Sequence, residues 1–280
     1  MREQLIEFLQ SQDKLLVLTG AGVSTASGIP DYRDESGAWK HRPPMEYREF
    51  VIHDRARQRY WSRSYAGWRR FCQAQPNSAH VALARLEAMG EVSTLITQNV
   101  DGLHQAGGSR NVIELHGSLE NVVCLECGST QPRADMQERL QLMNPQLNSL
   151  RAQMAPDGDT SLDDLESQGI QVPSCENCAG ILKPGVVFFG ETLTPDRVNE
   201  CNTALASCDA MLVLGTSLMV FSGFRLVRDA VRAGKPVFLI NRGKTRADHL
   251  VSTHLHTDCG SLLTAAAEQL ESENRDQVIL

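Results

Sequence analysis

The chain lacks any apolar run near the roughly 18 residues that a membrane-spanning helix needs, so no membrane partner is expected. It also lacks an excess of positive charge, with 27 Lys and Arg against 34 Asp and Glu and a formal net charge of −7. That balance disfavours a whole-molecule field for nucleic acid, and no direct nucleic-acid partner is expected. Aromatics are scarce at 5% and unevenly placed, for every Trp and Tyr falls within 32–68. Eight cysteines in 280 residues are too few for a disulfide scaffold. The first 13 residues mix apolar residues with both charge signs and read as neither signal nor transit peptide, which makes the cytoplasm the expected location. What remains, 41% hydrophobic and 22% charged residues, is the composition of a globular chain rather than a disordered one. Its length suits one large domain or two modest ones, enough to bury about three quarters of the unfolded surface.

Four short apolar runs each end in small and polar residues. Residues 15–18 lead into Thr19-Gly20-Ala21-Gly22, and residues 92–96 into Thr97-Gln98-Asn99-Val100-Asp101. Residues 210–214 lead into Gly215-Thr216-Ser217, and residues 236–240 into Asn241-Arg242-Gly243. Runs that are apolar on both parities suit strands covered on both faces, as in parallel sheets. Helical patterns over 78–89, 195–208, 223–233 and 260–270 lie between and after them, with Pro76-Asn77 and Thr194-Pro195 as starts and Gly90 and Gly234 as stops. Alternating strand and helix predicts an α/β fold, a Rossmann-like doubly wound parallel sheet whose ligand lies beyond the strand tips.

Two stretches break the rhythm. Residues 37–72, rich in Arg and aromatics, predict a helical insert. Residues 120–182, bounded by Cys124-x-x-Cys127 and Cys175-x-x-Cys178 and containing Pro156-Asp157-Gly158-Asp159, predict a zinc-binding insert. Together they form a smaller lobe on a Rossmann-like domain made of 1–36, 73–119 and 183–280. Arginines interleaved with rings also fit single-stranded nucleic acid, but buried aromatics under a solvated arginine face explain them as well. Four thiolates from Cys124, Cys127, Cys175 and Cys178 suit tetrahedral zinc with no open position for catalysis, and Gly128 and Gly180 suit the tight turns of such knuckles.

Gly20-Ala21-Gly22-Val23-Ser24 follows a strand, where backbone N–H groups can approach a pyrophosphate. The third glycine of the dinucleotide fingerprint is missing, and Thr25 stands in its place; a plain tight turn accounts for the segment equally. No acidic residue stands about 20 residues on, which disfavours ordinary hydride transfer. His116 has the titration range of a general base, and Asn99 and Asp101 at a strand tip could hold ribose or carboxamide; each also reads as an ordinary surface or capping residue.

Taken together and in this order, Gly20-Ala21-Gly22-Val23-Ser24, Gly28-Ile29-Pro30-Asp31-Tyr32-Arg33, Thr97-Gln98-Asn99-Val100-Asp101, His116-Gly117, the two C-x-x-C pairs, Gly215-Thr216-Ser217 and Asn241-x-Gly243 carry a resemblance. The chain resembles the sirtuins, NAD-dependent protein lysine deacylases, over about residues 15–270. Tyr32, the Ala155-Pro156-Asp157-Gly158-Asp159 insert and the segment from Lys183 to Gly190 are similar to the class II branch that includes mitochondrial sirtuin four, and a bacterial member is expected. The resemblance implies NAD with its pyrophosphate near Gly20, Ala21, Gly22 and Arg33, and its adenosine near Gly215, Thr216, Ser217, Asn241 and Cys259. It implies a nicotinamide pocket near Ser24, Ile29, Asn99 and Asp101, with Asp31, Tyr32, Gln98, Val100, Arg242 and Gly243 completing the NAD set.

His116, Asn99 and Asp101 are the implied catalytic residues. The acyl oxygen displaces nicotinamide, His116 deprotonates a ribose hydroxyl, and the acyl group leaves on ADP-ribose. Acyl-lysine protein is the implied partner, bound as an extended strand beside Val187-Phe188-Phe189-Gly190 and Met219-Val220-Phe221. Mono-ADP-ribosyl transfer to a protein is the alternative use of the same pocket, and a zinc-stabilised NAD sensor without turnover is a rival of another kind. Succinyl-selective sirtuins carry a Tyr-x-x-Arg pair; here Tyr60 and Arg63 have that spacing but are expected on the helical lobe, away from the acyl group.

Overall fold

The computed structural model describes residues 1–40, 43–149 and 169–278. Chain order begins with α1 (Arg2–Gln10), β1 (Leu15–Thr19), α2 (Tyr47–Ile52), α3 (Asp54–Phe71), α4 (Ser78–Met89) and β2 (Val92–Thr97). It continues through α5 (Leu103–Ala106), β3 (Val112–Glu114), β4 (Gly117–Cys124), β5 (Thr130–Pro132), α6 (Arg133–Met143) and β6 (Leu182–Val186). The last third holds α7 (Pro195–Ser207), β7 (Ala210–Leu214), α8 (Phe221–Arg232), β8 (Val237–Ile240), β9 (Thr253–Leu255) and α9 (Cys259–Val278).

The large sheet is parallel throughout, in the order β3-β2-β1-β7-β8-β9. Strand residues alternate between two helical layers because successive side chains leave opposite faces. Leu15, Val17, Leu212 and Ile240 pack with Leu5 of α1, Leu83 of α4 and Leu263 of α9. Leu16, Leu18, Met211, Val213 and Leu239 pack with Leu205 of α7 and Val227 of α8. Each such side chain contributes about 1.5–3 kcal/mol by leaving water, which is why the apolar runs show no alternation. Asn77 caps α4 by accepting from the Ala79 N–H at 2.9 Å, Thr194 caps α7, and Gly90 ends α4 in the left-handed region at φ 87°.

The smaller lobe has its own sheet, β5-β4-β6, antiparallel, and its own core. Phe50, Tyr60, Trp61 and Tyr65 from α2 and α3 pack with Val122, Leu182 and Phe188. Phe50, Tyr60, Trp61 and Tyr65 are therefore core residues of this lobe, whereas Tyr32 and Trp39 are half-buried. Arg55, Arg69 and Arg70 face solvent, whereas Arg57 turns inward to the carbonyls of Phe50 and Val51 at 2.9 and 2.7 Å. Strands β4 and β6 overrun the 120–182 bounds at both ends, since pairing begins at Gly117↔Val186. Gly117 sits at φ 77°, and a Cβ there would stand 2.1 Å from the Gly185 carbonyl oxygen. The turn 155–159 lies outside the described residues.

Candidate functional site

Strand order reverses between β1 and β7, and the loops beyond these two strands lock together. The Gly22 N–H donates to the Gly215 carbonyl at 2.8 Å, and the Gly20 N–H to that of Leu214 at 3.1 Å. A Cβ on Gly20 would lie 2.6 Å from Thr216 Cβ, and one on Gly22 would lie 2.8 Å from the Gly215 oxygen. Gly215 itself has φ 56° and faces the Val23 nitrogen. These glycines thus serve close loop-to-loop contact, which their reading as a pyrophosphate turn does not require. Above them opens a cleft of about 910 Å³. Gly20, Ala21, Gly22, Ser24, Ile29, Asp31, Tyr32, Arg33, Gln98, Asn99, Val100, Asp101, His116, Gly215, Thr216, Ser217, Asn241, Arg242, Gly243 and Cys259 all line it.

At its floor Ser24 joins three elements. Its hydroxyl donates to Asp101 at 2.7 Å, accepts from the Asn99 amide at 3.0 Å and lies 3.4 Å from His80 Nε2. His80 Nδ1 accepts the Asn77 N–H at the start of α4, so the ring proton sits on Nε2 and points to Ser24. Asp101 also accepts the Leu103 N–H at 3.0 Å, just beyond the Gly102 turn that opens α5, so it braces the loop while facing the cleft. Behind lies His104, fully buried, 2.9 Å from the Thr19 hydroxyl; Thr19 donates to Thr97, which accepts the Asn99 N–H. Neither His80 nor His104 was singled out from sequence, because their partners are far away in the chain.

His116 is clamped on both ring nitrogens. Nδ1 lies 2.9 Å from the Gln98 carbonyl, which can only accept, so the proton is on Nδ1. Nε2 keeps its lone pair and lies 2.8 Å from Ser222 Oγ in the first turn of α8. Burial lowers His116 below the ordinary histidine range, and the Gln98 carbonyl opposes that shift in part. The ring is therefore neutral near pH 7, as a base must be. The Gln98 amide holds the Thr19 carbonyl at 3.1 Å and the Thr216 hydroxyl at 3.0 Å, tying the β2 tip to both glycine loops. Ser222 is a member of this group that sequence reasoning missed.

The rim is built from ion pairs and rings. Arg33 donates to the Gly37 carbonyl at 2.8 Å and lies over the Trp39 ring at 3.8 Å. Lys40 pairs with Asp31, and Arg242 with Asp258 at 3.0 Å. Burial pushes the Cys259 thiol up to about 12, so it is neutral. Tyr60, placed away from the acyl group by the sequence reading, lines the cleft, because α3 packs its ring between Phe50 and Phe188.

The four paired cysteines meet at the end of the small sheet, their Sγ atoms all within 4.8 Å of one another. Cys124 and Cys178 are 3.5 Å apart, and Cys127 and Cys175 3.7 Å. Tetrahedral zinc with 2.3 Å bonds requires sulfur spacings of about 3.8 Å, so the donor set fits that ion. The Ser129 hydroxyl, 3.4 Å from Cys175 Sγ, draws that thiol down to about 6, toward the thiolate a metal needs. Each knuckle closes alike, with the Gly128 N–H on the Cys124 carbonyl and the Ala179 N–H on that of Cys175. Ala179, not Gly180, takes the left-handed position at φ 59°; a Cβ on Gly180 would lie 2.4 Å from Glu126 Cγ.

The Sir2 family profile matches residues 20–222. An NAD-dependent protein deacetylase of Bordetella bronchiseptica is 52% identical over 256 residues, covering 91% of this chain and 93% of its own. Another, NAD-dependent protein deacetylase 2 of Bradyrhizobium diazoefficiens, is 49% identical and covers 93% and 96%. Among solved structures, a Sir2 protein with a p53 peptide and NAD+ superposes with a TM-score of 0.77 at 30% identity, covering 96% of this chain and 98% of that one. With likeness this high in sequence and spread over both lobes in structure, the chain belongs to the Sir2 family.

Proposed function

We propose that this chain is an NAD-dependent protein lysine deacylase that transfers an acyl group, acetyl among them, from lysine to ADP-ribose and releases nicotinamide. The observation that carries the reading is a neutral histidine, His116, facing the same cleft as the Ser24–Asn99–Asp101 cluster at the topological switch point. NAD fits this cleft on the chain's own chemistry. Gly20, Ala21 and Gly22 line the part of the cleft beyond β1 where a pyrophosphate would rest, and Arg33, a cation, lines the same cleft. When bound, NAD supplies an anomeric carbon with a cationic leaving group.

The residues then divide the work. Asp101 and Asn99, fixed by Ser24, hold the carboxamide end and order the groups around it. Gln98 anchors the ribose side through its bonds to both glycine loops. His116 Nε2 takes a proton from the hydroxyl that attacks the acyl carbon, and the Gln98 carbonyl steadies the imidazolium that results. Val187 to Gly190 and Met219 to Phe221 border the cleft, where an acyl-lysine peptide would pair as a strand, a mode that reads backbone rather than sequence. Cys124, Cys127, Cys175 and Cys178 would hold zinc as a structural ion, away from these steps. Replacing His116 by Tyr should lower deacetylation of an acetyl-lysine peptide by about 10²–10⁴-fold, while nicotinamide exchange, which precedes the base's task, falls much less. Deacetylation within twofold of the unaltered protein would remove His116 from this role.

A further inference from the structure

The lone pair on His116 Nε2 is already engaged before any substrate arrives. With its proton fixed on Nδ1 by the Gln98 carbonyl, Nε2 can only accept, so Ser222 Oγ at 2.8 Å donates to it. An imidazole nitrogen has one in-plane lone pair, and here it is aimed at a serine. Any proton bound for Nε2 must either displace that hydroxyl or pass through it.

Displacement is opposed by the way α8 is seated. Ser222 lies in the first turn of the helix, directly after Val220 and Phe221 at the cleft rim. Its neighbour Gly223 is buried against Gln98, where a Cβ would stand 2.5 Å from Gln98 Oε1. Two consecutive residues of α8 thus grip the two residues that form the base, and Phe224, Leu226 and Val227 anchor the helix in the second core. The serine is held in place by backbone packing, not by a mobile loop.

Resting on the reading of His116 as the base, we infer that Ser222 is a proton relay between the attacking hydroxyl and His116. The bookkeeping of the step is closed. The substrate O–H bond breaks and its proton goes to Ser222 Oγ; the Ser222 O–H bond breaks and that proton goes to Nε2. Serine ends as it began, the substrate oxygen carries the electron pair, and His116 becomes imidazolium. Rotation of the hydroxyl then lets Ser222 accept from the new Nε2–H, a charge-assisted bond stronger than the one it replaced.

The test compares the unaltered protein with Ser222→Ala, Ser222→Thr and His116→Ala, each with its metal in place. Deacetylation and nicotinamide exchange are measured on one acetyl-lysine peptide, and the His116 ring is titrated by NMR without NAD. The relay predicts that Ser222→Ala loses about 10²-fold in deacetylation and less than tenfold in exchange. It also predicts that Ser222→Thr, which keeps the hydroxyl, recovers most of that loss. In Ser222→Ala the His116 titration midpoint should move to lower pH, because the imidazolium has lost its acceptor. Deacetylation by Ser222→Ala within twofold of the unaltered protein, or faster, would overturn the relay. Should His116→Ala itself deacetylate normally, the base assignment fails, and that result is distinct from failure of the relay alone.

Discussion

Ser24, His80, Asn99 and Asp101 interlock through single hydrogen bonds, so their orientations depend on which groups carry protons. His104 behind them makes that dependence measurable. Burial, then the like charge of His80, holds His104 down to about 3, against 6.5 for an ordinary histidine. Between those values the unfolded chain binds a proton that the folded protein refuses, so stability falls as pH drops below about 6.5 and levels off above it. One such group contributes a slope of about 1.4 kcal/mol per pH unit. Thermal melting between pH 7 and pH 5 should therefore fall, and His104→Phe should make that fall shallower. An unchanged slope in the variant would contradict the assignment. At this scale the sequence was readable where a motif is local: Gly20, Asn99, Asp101 and His116 stand in short signatures. Ser222 and His104 were not readable, since a lone Ser at a helix start gains its meaning from a histidine 106 residues away.

At the scale of elements, the central strands were legible because burial on both faces forces continuous apolar runs, as in Leu15–Thr19 and Ala210–Leu214. Caps made α4 and α7 legible too, through Asn77, Gly90 and Thr194. The short strands β3, β5 and β9 carried no such signal, for they are three residues each and lie partly exposed. The bounds of the small lobe were blurred for a related reason: β4 begins at Gly117, in the same motif as His116, so one segment serves both lobes. This lobe is where metal removal should tell. Its sheet closes through the two cysteine knuckles, and structural zinc is worth about 10–16 kcal/mol to such folds. Purified protein should contain one zinc per chain. Chelation should melt β4, β5 and β6 ahead of the large sheet, followed by loss of hydrogen-exchange protection at Val122 and Leu182. Full protection of those amides after the metal is gone would sink the structural role.

Across the whole molecule, the reversal of strand order between β1 and β7 explains why residues spread from Gly20 to Cys259 share one cleft. Topology placed them there; chemistry then narrowed their use. His116 meets the cleft from the seam where the large sheet gives way to the small one, which is where the proposed reading needs its base, between NAD and peptide. The same placement would serve acyl transfer to ADP-ribose or ADP-ribosyl transfer to a protein, because both break the bond to nicotinamide. One measurement separates them: incubation of the metal-loaded protein with NAD and an acetyl-lysine peptide, with nicotinamide, peptide mass and protein mass followed together. The account predicts one nicotinamide per acetyl group lost from the peptide, with acetyl-ADP-ribose as the matching product and no mass added to protein or peptide. Nicotinamide release with the acetyl group retained and ADP-ribose mass gained by protein or peptide would contradict it.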